Sequence, residues 1–453
     1  MTHELSQTRA ASFKLPGRLM QHFLVAWMRP TRRLLVLGRY RWPLAFATIA
    51  LLATTSARHV GSAARGLPHD WSPKPSLTLD LVTLGYTPRV VKNTLSNREF
   101  FSRFDPSVDP SILQDYYPTP VFVDDNVIAV HWVRPEYADP KDEQDARAIP
   151  KGVRLIVLLL DSTSGKLIAR REFPTVFRKS FTWDTQSRLA SLGNGRFLIH
   201  AGNHLMLFSR EFQLLRQRDL PTEAGTGNSG TFIVVPGGPR NGSPEAWAMF
   251  VAPRGKTLLL QHTLDGHYLL EWLNPDDLKT VATREAPTGL TAVSDNIVTY
   301  GWYRSIQALS REGSPNQVCS PGPPCEGGMP WAFLQGEQLL IPRQRSLSVL
   351  SLRGQVLWSK EGDIRGNGIC YLQTSLEGNR FLISVQTERD GYMGEAKLQQ
   401  GVNALLYDAS TRTVVFQVHS GKDVGRPALS ANGRRLAFLP DANLLLYDLS
   451  ASE

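Results

Sequence analysis

Residues that could take part in binding or chemistry are spread along this chain as histidines, arginines and large aromatic residues near predicted strand ends. Aromatic rings can stack on sugars or peptide side chains, and arginines can hold carboxylates or phosphates in bidentate geometry. Exposed aromatic and arginine residues are also favoured where proteins bind one another. The candidate ligand-binding residues are His131, Trp132, Arg134, His200, Trp302, Tyr303, Arg304, Arg343, Arg345, Arg389 and Tyr392.

No compact catalytic motif accompanies these residues. The sequence contains no His-Glu-x-x-His, no Walker-type phosphate loop, no Gly-x-Ser-x-Gly and no dinucleotide-binding glycine pattern. The histidines could bind a metal if the fold brought them together, but no Cys/His partners stand at zinc-ligand spacing. We therefore assign no catalytic residue, no metal site and no cofactor.

Two of the three cysteines, Cys319 and Cys325, flank a Ser-Pro-Gly-Pro-Pro turn that could bring their sulfurs together. In an oxidising compartment this spacing favours a local disulfide, and two free thiols in a surface loop are the alternative. Cys370 stands in an apolar stretch and is interpreted as a small buried residue.

The first 57 residues form a cationic leader with eight Lys/Arg and one acidic residue. The acid-free stretch 29–41, the apolar run 44–53 and the small residues 54–57 follow in the order typical of a secretory signal peptide. The apolar run is shorter than the roughly 20 residues that a membrane-spanning helix needs. We expect export to the periplasm or extracellular space. A twin-arginine signal at Arg32-Arg33, an uncleaved anchor and a mitochondrial presequence are the alternatives.

The charge of the remaining chain is nearly balanced, with 42 Lys/Arg and 40 Asp/Glu after residue 57. The net charge of +9 therefore belongs mainly to the leader, and composition predicts no nucleic-acid binding. Membrane contact is expected only through an uncleaved N-terminal anchor. Residues 58–76, rich in Pro, Gly and Ser, are interpreted as a linker to a domain that spans residues 77–453.

This domain repeats two local patterns. A polar turn followed by a short apolar strand occurs at 125–130, 195–199, 255–260, 294–298, 336–341, 378–383 and 432–438. A strand that ends near Asp, Ser or Asn, usually followed by a turn and another strand, occurs at 158–168, 205–215, 269–281, 306–310, 347–358, 404–418 and 444–448. Six intervals separate Asp161 from Asp448, about 48 residues each. A period of about 40–50 residues with four strands per unit indicates a β-propeller, and seven copies predict seven blades.

The last repeat is incomplete, because the chain ends at Glu453 without room for an outer strand after residues 444–448. The alternating stretch 77–84 precedes the first complete repeat and has no blade of its own. We therefore predict an all-β fold, a seven-bladed β-propeller with a composite last blade closed by an N-terminal strand. A pair of β-sandwiches is the alternative, but it does not account for the long repeat.

These repeats resemble those of the WD40-like and quinoprotein-like β-propeller superfamily over roughly residues 77–453. Residues 347–358 look like a quinoprotein repeat, with Gly354 before a strand that ends in Trp358. Residues 158–161, with Gly165 and Lys166, form a second recognisable copy. A resemblance of this kind implies a fold and does not imply a function.

In a propeller, the loops between the second and third strands of each blade emerge on one face, together with the connections between blades. The candidate residues fall in or beside these loops, so we predict a surface that binds a protein, peptide or carbohydrate ligand. For each residue a packing or solvated role is the alternative. The predicted function is an exported, non-catalytic binding or interaction scaffold of the cell envelope. The alternative is a propeller enzyme, a lyase, hydrolase or quinoprotein-like oxidoreductase, that uses the same face.

Overall fold

The computed structural model describes residues 73–87, 118–139, 141, 151–175, 189–202, 204–220, 232–234, 247–264, 267–286, 290–300, 306–319, 330, 332–342, 346–361, 369–388, 399–420, 427–440 and 442–449. All of them belong to one compact unit, Asp70–Glu453. The predicted leader and most of the predicted linker lie outside the described residues, so the domain boundaries stay predictions. No helix in the described ranges has the length and apolar character needed to cross a bilayer.

The described residues form strand β1 (Leu77–Asp80) followed by six complete blades and a seventh that β1 completes. Blade 1 contains β2 (Thr119–Phe122), β3 (Val127–Glu136), β4 (Gly152–Asp161) and β5 (Leu167–Thr175). Blade 2 contains β6 (Leu189–Gly193), β7 (Arg196–Ala201), β8 (His204–Phe208) and β9 (Leu214–Asp219). Blade 3 contains β10 (Phe232–Val234), β11 (Trp247–Val251), β12 (Leu258–Leu264), β13 (His267–Leu273) and β14 (Thr280–Ala286).

The remaining blades follow in chain order. Blade 4 contains β15 (Leu290–Val293), β16 (Ile297–Tyr300), β17 (Ile306–Ser310) and β18 (Asn316–Cys319). Blade 5 contains β19 (Ala332–Leu334), β20 (Gln338–Pro342), β21 (Ser346–Leu350) and β22 (Val356–Glu361). Blade 6 contains β23 (Ile369–Thr374), β24 (Arg380–Glu388), β25 (Gln399–Asp408) and β26 (Val414–Ser420). Blade 7 contains β27 (Ala428–Leu429), β28 (Arg435–Phe438) and β29 (Asn443–Asp448), and β1 is its fourth strand.

Apolar side chains on both faces of each blade close these sheets into a ring. Because successive residues of a strand point to opposite faces, each blade packs against both of its neighbours. One hydrophobic cluster joins each pair of neighbouring blades, including blade 7 with blade 1. In the cluster between blades 5 and 6, Phe381 stacks on Tyr407 with ring centroids 5.1 Å apart, and Trp358 meets Tyr407 edge-on. The predicted seven-bladed propeller is thereby confirmed.

The N-terminal strand completes the last blade as predicted. β1 pairs antiparallel with β29, with Leu77 opposite Leu446 and Asp80 opposite Asn443. The predicted strand is too long, however, because residues Leu81–Leu84 form a 3₁₀ turn. The Asp80 carboxylate accepts a hydrogen bond from the Val82 backbone N–H at 2.8 Å, and this cap ends the strand. Leu81 is fully buried at the junction between blades 7 and 1.

Blade 3 departs from the four-strand pattern. Its extra strand β10 pairs in parallel with β11, with Phe232 opposite Ala248 and Val234 opposite Phe250. In the strand order of this sheet, β10 lies beside β11 at the sheet edge nearest the centre of the ring, so β10 takes the innermost position that β11 would otherwise hold. The sequence before β10 has no polar turn at the spacing found in the other repeats. The repeat period therefore did not predict this strand.

Candidate functional site

The strands of the ring are joined on two faces that differ in connection length. On the short-turn face, the first strand of a blade joins the second and the third joins the fourth, through turns of two to six residues. On the long-loop face, the second strand joins the third and each blade joins the next. The connections of ten or more residues on this face are 81–118, 137–151, 176–188, 220–231, 320–331 and 389–398. Binding residues are disproportionately found on loops that a rigid scaffold positions, so the long-loop face is the candidate site.

Contacts between blades occupy the short-turn face. In three repeats, an arginine that begins the second strand reaches the next blade: Arg196 pairs with Asp276, Arg380 Nη1 donates to Gly433 O at 3.2 Å, and Arg435 Nη1 donates to Ser162 Oγ at 2.5 Å. The repeated turn-strand motif of the sequence therefore positions a cation that ties its blade to the following one.

The centre of the short-turn face is held by turns from non-neighbouring blades. Leu376 of blade 6 packs in the hydrophobic cluster between blades 2 and 3, and its carbonyl accepts a hydrogen bond from Arg254 N of blade 3 at 2.5 Å. Gly255 has a φ of 62°, and a Cβ there would lie 1.9 Å from Leu192 O of blade 2. A side chain at Gly255 would force these turns apart. The short-turn face therefore has a structural role at its centre as well as at its rim.

The structure places His131 and His200 inside the ring and keeps them apart. Both are buried, at 4% and 2% exposure. Strand alternation puts His131, like Ala129, in the layer between blades 1 and 2, and it puts His200, like Leu198, in the layer between blades 2 and 3. The two imidazoles therefore face different layers, and they do not form one site.

Trp132 is also a buried residue, and Tyr86 covers it. The two rings meet edge-on with centroids 5.4 Å apart, beside the 3₁₀ turn that follows β1. Trp132 belongs to the hydrophobic cluster between blades 7 and 1. Its role in the described structure is packing, which was the alternative weighed for every aromatic candidate.

Arg134 is the one exposed residue among the four described candidates, and it lies in an ionic group that the sequence did not single out. Arg134 Nη2 lies 3.2 Å from Glu172 Oε2, and Arg170 Nη2 lies 2.9 Å from Glu172 Oε1. Arg154 Nε lies 2.5 Å from Glu136 Oε1. These five side chains, from three strands of blade 1, are called the blade-1 arginine cluster. Polar residues at alternate positions of the ends of β3, β4 and β5 were the signal that could have found it.

The other seven candidates, Trp302, Tyr303, Arg304, Arg343, Arg345, Arg389 and Tyr392, lie outside the described residues, as does Cys325. The strands that flank these seven residues have their nearest ends on the long-loop face. Trp302, Tyr303 and Arg304, for example, lie between the end of β16 at Tyr300 and the start of β17 at Ile306. Cys319 is a disulfide-bonded cysteine. Its pairing with Cys325 stays a prediction.

The described residues bear on two kinds of chemistry, metal binding and acid–base catalysis. Within the described ranges, no three His, Cys, Asp or Glu side chains lie close enough to hold a metal ion together. Burial raises the pKa of Asp295, in a turn of blade 4 on the short-turn face, while the charges of Lys256 and Arg254 act in the opposite direction. A carboxyl group with a raised pKa is a candidate for acid–base chemistry. Asp295 is on the face opposite the predicted site.

A small pocket of about 140 Å³ lies where blade 7 meets blade 1 on the short-turn face. Its lining combines the Arg435 guanidinium and the Asp448 carboxylate, 3.8 Å apart, with two hydroxyl groups that already accept hydrogen bonds from Arg435. The full lining is Ser76, Phe122, Ser162, Thr163, Arg435, Leu446, Tyr447 and Asp448. These groups satisfy one another, so the pocket is part of the ring closure.

Comparisons with known proteins assign no family to this chain. No protein-family model matches the sequence, and no curated protein matches it. A chain of the mitotic checkpoint complex crystal structure is 10% identical with a TM-score of 0.43, over 85% of this chain and 94% of that chain.

Two further solved structures match at similar levels. Hsv2 from Kluyvelomyces marxianus is 8% identical with a TM-score of 0.38, over 65% of this chain and 86% of that chain. KlHsv2 with loop 6CD replaced by a Gly-Ser linker is 9% identical with a TM-score of 0.35, over 56% and 74%. The fold-level resemblance to WD40-like propellers rests on the seven-bladed ring itself.

Proposed function

We propose that this chain is an exported, non-catalytic β-propeller that acts as a protein-interaction scaffold in the cell envelope and binds its partner on the long-loop face. The observation that carries this proposal is the difference between the two faces. Contacts between blades fill the short-turn face, whereas the longest connections and the exposed blade-1 arginine cluster lie on the other.

The rigidity of the ring supports a scaffold role. Seven apolar clusters and the arginine contacts of the turns hold the blades in fixed positions, so the loops of the long-loop face are presented at fixed spacing. A preorganised surface loses less conformational entropy on binding than a flexible one does. A protein or peptide partner is favoured over a sugar, because the exposed described candidate is an arginine and the described aromatic candidate is buried.

Export is supported by the cationic and apolar segments of the leader. Cell fractionation with an antibody against the propeller tests it. We expect a shortened chain outside the cytoplasm or a full-length chain attached to the membrane. A full-length chain in the soluble cytoplasm would contradict export.

Site-specific photo-crosslinking tests the binding face. A photoreactive residue at Arg304, between β16 and β17, should form adducts with one or a few proteins in cells. The same residue at Arg353, in the short turn between β21 and β22, is the matched control and should not. Equal adducts from both positions, or none from Arg304, would reject the long-loop face as the interaction surface.

A further inference from the structure

The blade-1 arginine cluster brings three guanidinium groups to one surface of one sheet. Arg134 and Arg154 are direct partners in the β3–β4 register. On the same sheet surface, Glu172 stands opposite Ile156 and Arg170 stands opposite Leu158 in the β4–β5 register. Side chains two positions apart on a strand share a surface, so the three arginines and Glu172 all point to the side of blade 1 that faces blade 7. The sheet register therefore gathers residues that are up to 38 positions apart in the sequence.

This arrangement places like charges side by side. Arginines directly opposite one another on neighbouring strands repel and cost stability. Glu136 and Glu172 offset part of that repulsion, but Lys151, beside Glu136, adds a further positive charge. The hydrogen bond from Arg154 lowers the pKa of Glu136, and the charges of Arg154, Lys151 and Arg134 lower it further. The cluster carries three cations and two carboxylates, and with Lys151 there is a local excess of positive charge on a domain whose net charge is close to zero.

The three arginine side chains are partly exposed and have N–H donors that the described contacts do not use. The side chains of Arg134, Arg154 and Arg170 are 44%, 42% and 34% exposed. A guanidinium carries five N–H donors. Among the described contacts, Arg134 and Arg154 each engage a carboxylate through one nitrogen. The two glutamates therefore hold Arg134 and Arg154 in place through one nitrogen each, and Arg170 donates to Glu172 and to Leu84 O.

We propose that the blade-1 arginine cluster is a docking surface for an extended acidic segment of a protein partner, and this inference rests on the proposed scaffold function. The dimensions favour such a segment. The guanidinium groups of Arg134 and Arg170 both contact the Glu172 carboxylate, at 3.2 and 2.9 Å, so they lie close together on the sheet surface. Acidic side chains two residues apart in an extended peptide are about 7 Å apart, which allows successive carboxylates to reach different guanidinium groups. The cluster occupies the end of one blade, whereas a nucleic-acid site would need a longer basic stripe.

Fluorescence anisotropy with the full chain tests this proposal, with a labelled ten-residue glutamate peptide as the probe and a glutamine peptide of equal length as its control. We expect the wild-type chain to bind the glutamate peptide and not the glutamine peptide, with affinity that falls as salt is added. The double variant Arg134→Gln/Arg154→Gln should raise Kd at least tenfold. Arg353→Gln, which removes one exposed charge from the short-turn face, should change Kd less than twofold.

A second variant distinguishes a loss of binding from a loss of folding. Arg134→Gln alone keeps the Arg154–Glu136 pair and should raise Kd about threefold, with an unchanged circular dichroism spectrum. The proposal is wrong if the wild-type chain does not bind the glutamate peptide, if the folded variants bind as tightly as the wild type, or if Arg353→Gln weakens binding as much as the double variant does. The two proposals can fail separately. If the double variant binds the glutamate peptide as tightly as the wild type and still forms photo-crosslinks from Arg304, the acidic docking surface is wrong and the scaffold function stands.

Discussion

Arg435 Nη1 donates a hydrogen bond to Ser162 Oγ at 2.5 Å, across 273 residues of sequence, and thereby joins the last blade to the first. The same nitrogen donates to Thr163 Oγ1 at 3.1 Å. Asn432 strengthens the junction, because its Nδ2 donates to Asp125 Oδ2 at 2.5 Å. The ring is therefore closed by side-chain contacts on the short-turn face as well as by the paired strands β1 and β29.

Replacement of Arg435 by Ala should weaken this closure. The substitution removes two hydrogen bonds from a charged donor, and hydrogen bonds to charged groups contribute about 1.5–3 kcal/mol. We expect a lower urea midpoint of unfolding by fluorescence, whereas Arg353→Ala, which removes an exposed arginine, should leave the midpoint unchanged. Equal midpoints for Arg435→Ala and the wild type would show that the strand pairing alone closes the ring.

Removal of β1 should open the ring. Leu81 and Tyr86 are buried against blade 1, and burial of each such side chain stabilises the fold by about 1.5–3 kcal/mol. A chain that lacks residues 1–87 should unfold at a clearly lower temperature and over a broader range in calorimetry. A chain that lacks only residues 1–72 keeps β1 and serves as the control. Identical transitions for the two truncated chains would contradict the composite blade.

The turn at Asp408 should make stability sensitive to acid. Burial acts to raise the pKa of Asp408, but hydrogen bonds from Ser410 and Thr411 outweigh it and lower this pKa. A carboxylate with a lowered pKa stabilises the fold fully above its unfolded pKa of about 3.9, and this contribution is lost as the pH falls through the folded pKa.

Asp408→Ala should therefore lower the free energy of unfolding by about 1–2 kcal/mol at neutral pH. The loss relative to wild type should shrink as the pH falls below 4, and denaturation midpoints at several pH values measure it. Asp161 accepts matching hydrogen bonds from Ser164 in blade 1, so Asp161→Ala should behave in the same way. If the substitution lowers the free energy of unfolding by the same amount at every pH, the effect comes from packing and not from the carboxylate charge.

Trp132 and Arg134, two positions apart on β3, should respond differently to substitution. Trp132 is buried against Tyr86, and replacement of a buried aromatic residue by Ala costs about 3–5 kcal/mol. Arg134 forms an exposed ion pair, so Arg134→Gln should change stability by less than about 1 kcal/mol. Thermal unfolding of both variants measures this contrast. A stable Trp132→Ala variant that fails to bind a partner would restore Trp132 as a binding residue.

The sequence by itself determined the number of blades and the way the ring closes. Both follow from local patterns, because a turn such as Asp408–Thr411 and the alternation in residues 77–80 depend on neighbouring residues along the chain. The same patterns correctly predicted which strand ends share a face. They did not predict the 3₁₀ turn at Leu81–Leu84 or strand β10, since both depend on partners elsewhere in the fold.

Only the tertiary structure decided which candidate residues are accessible and which come together. His131, Trp132 and Arg134 lie within four positions on one strand, yet His131 faces blade 2 whereas Trp132 and Arg134 face blade 7, and of the three Arg134 alone is exposed. Arg134, Arg154 and Arg170 are distant in sequence, yet they lie on one surface with Glu172 because the register of β3, β4 and β5 aligns them. Register and packing against neighbouring blades arise from long-range contacts, which the spacing of residues along the chain does not contain.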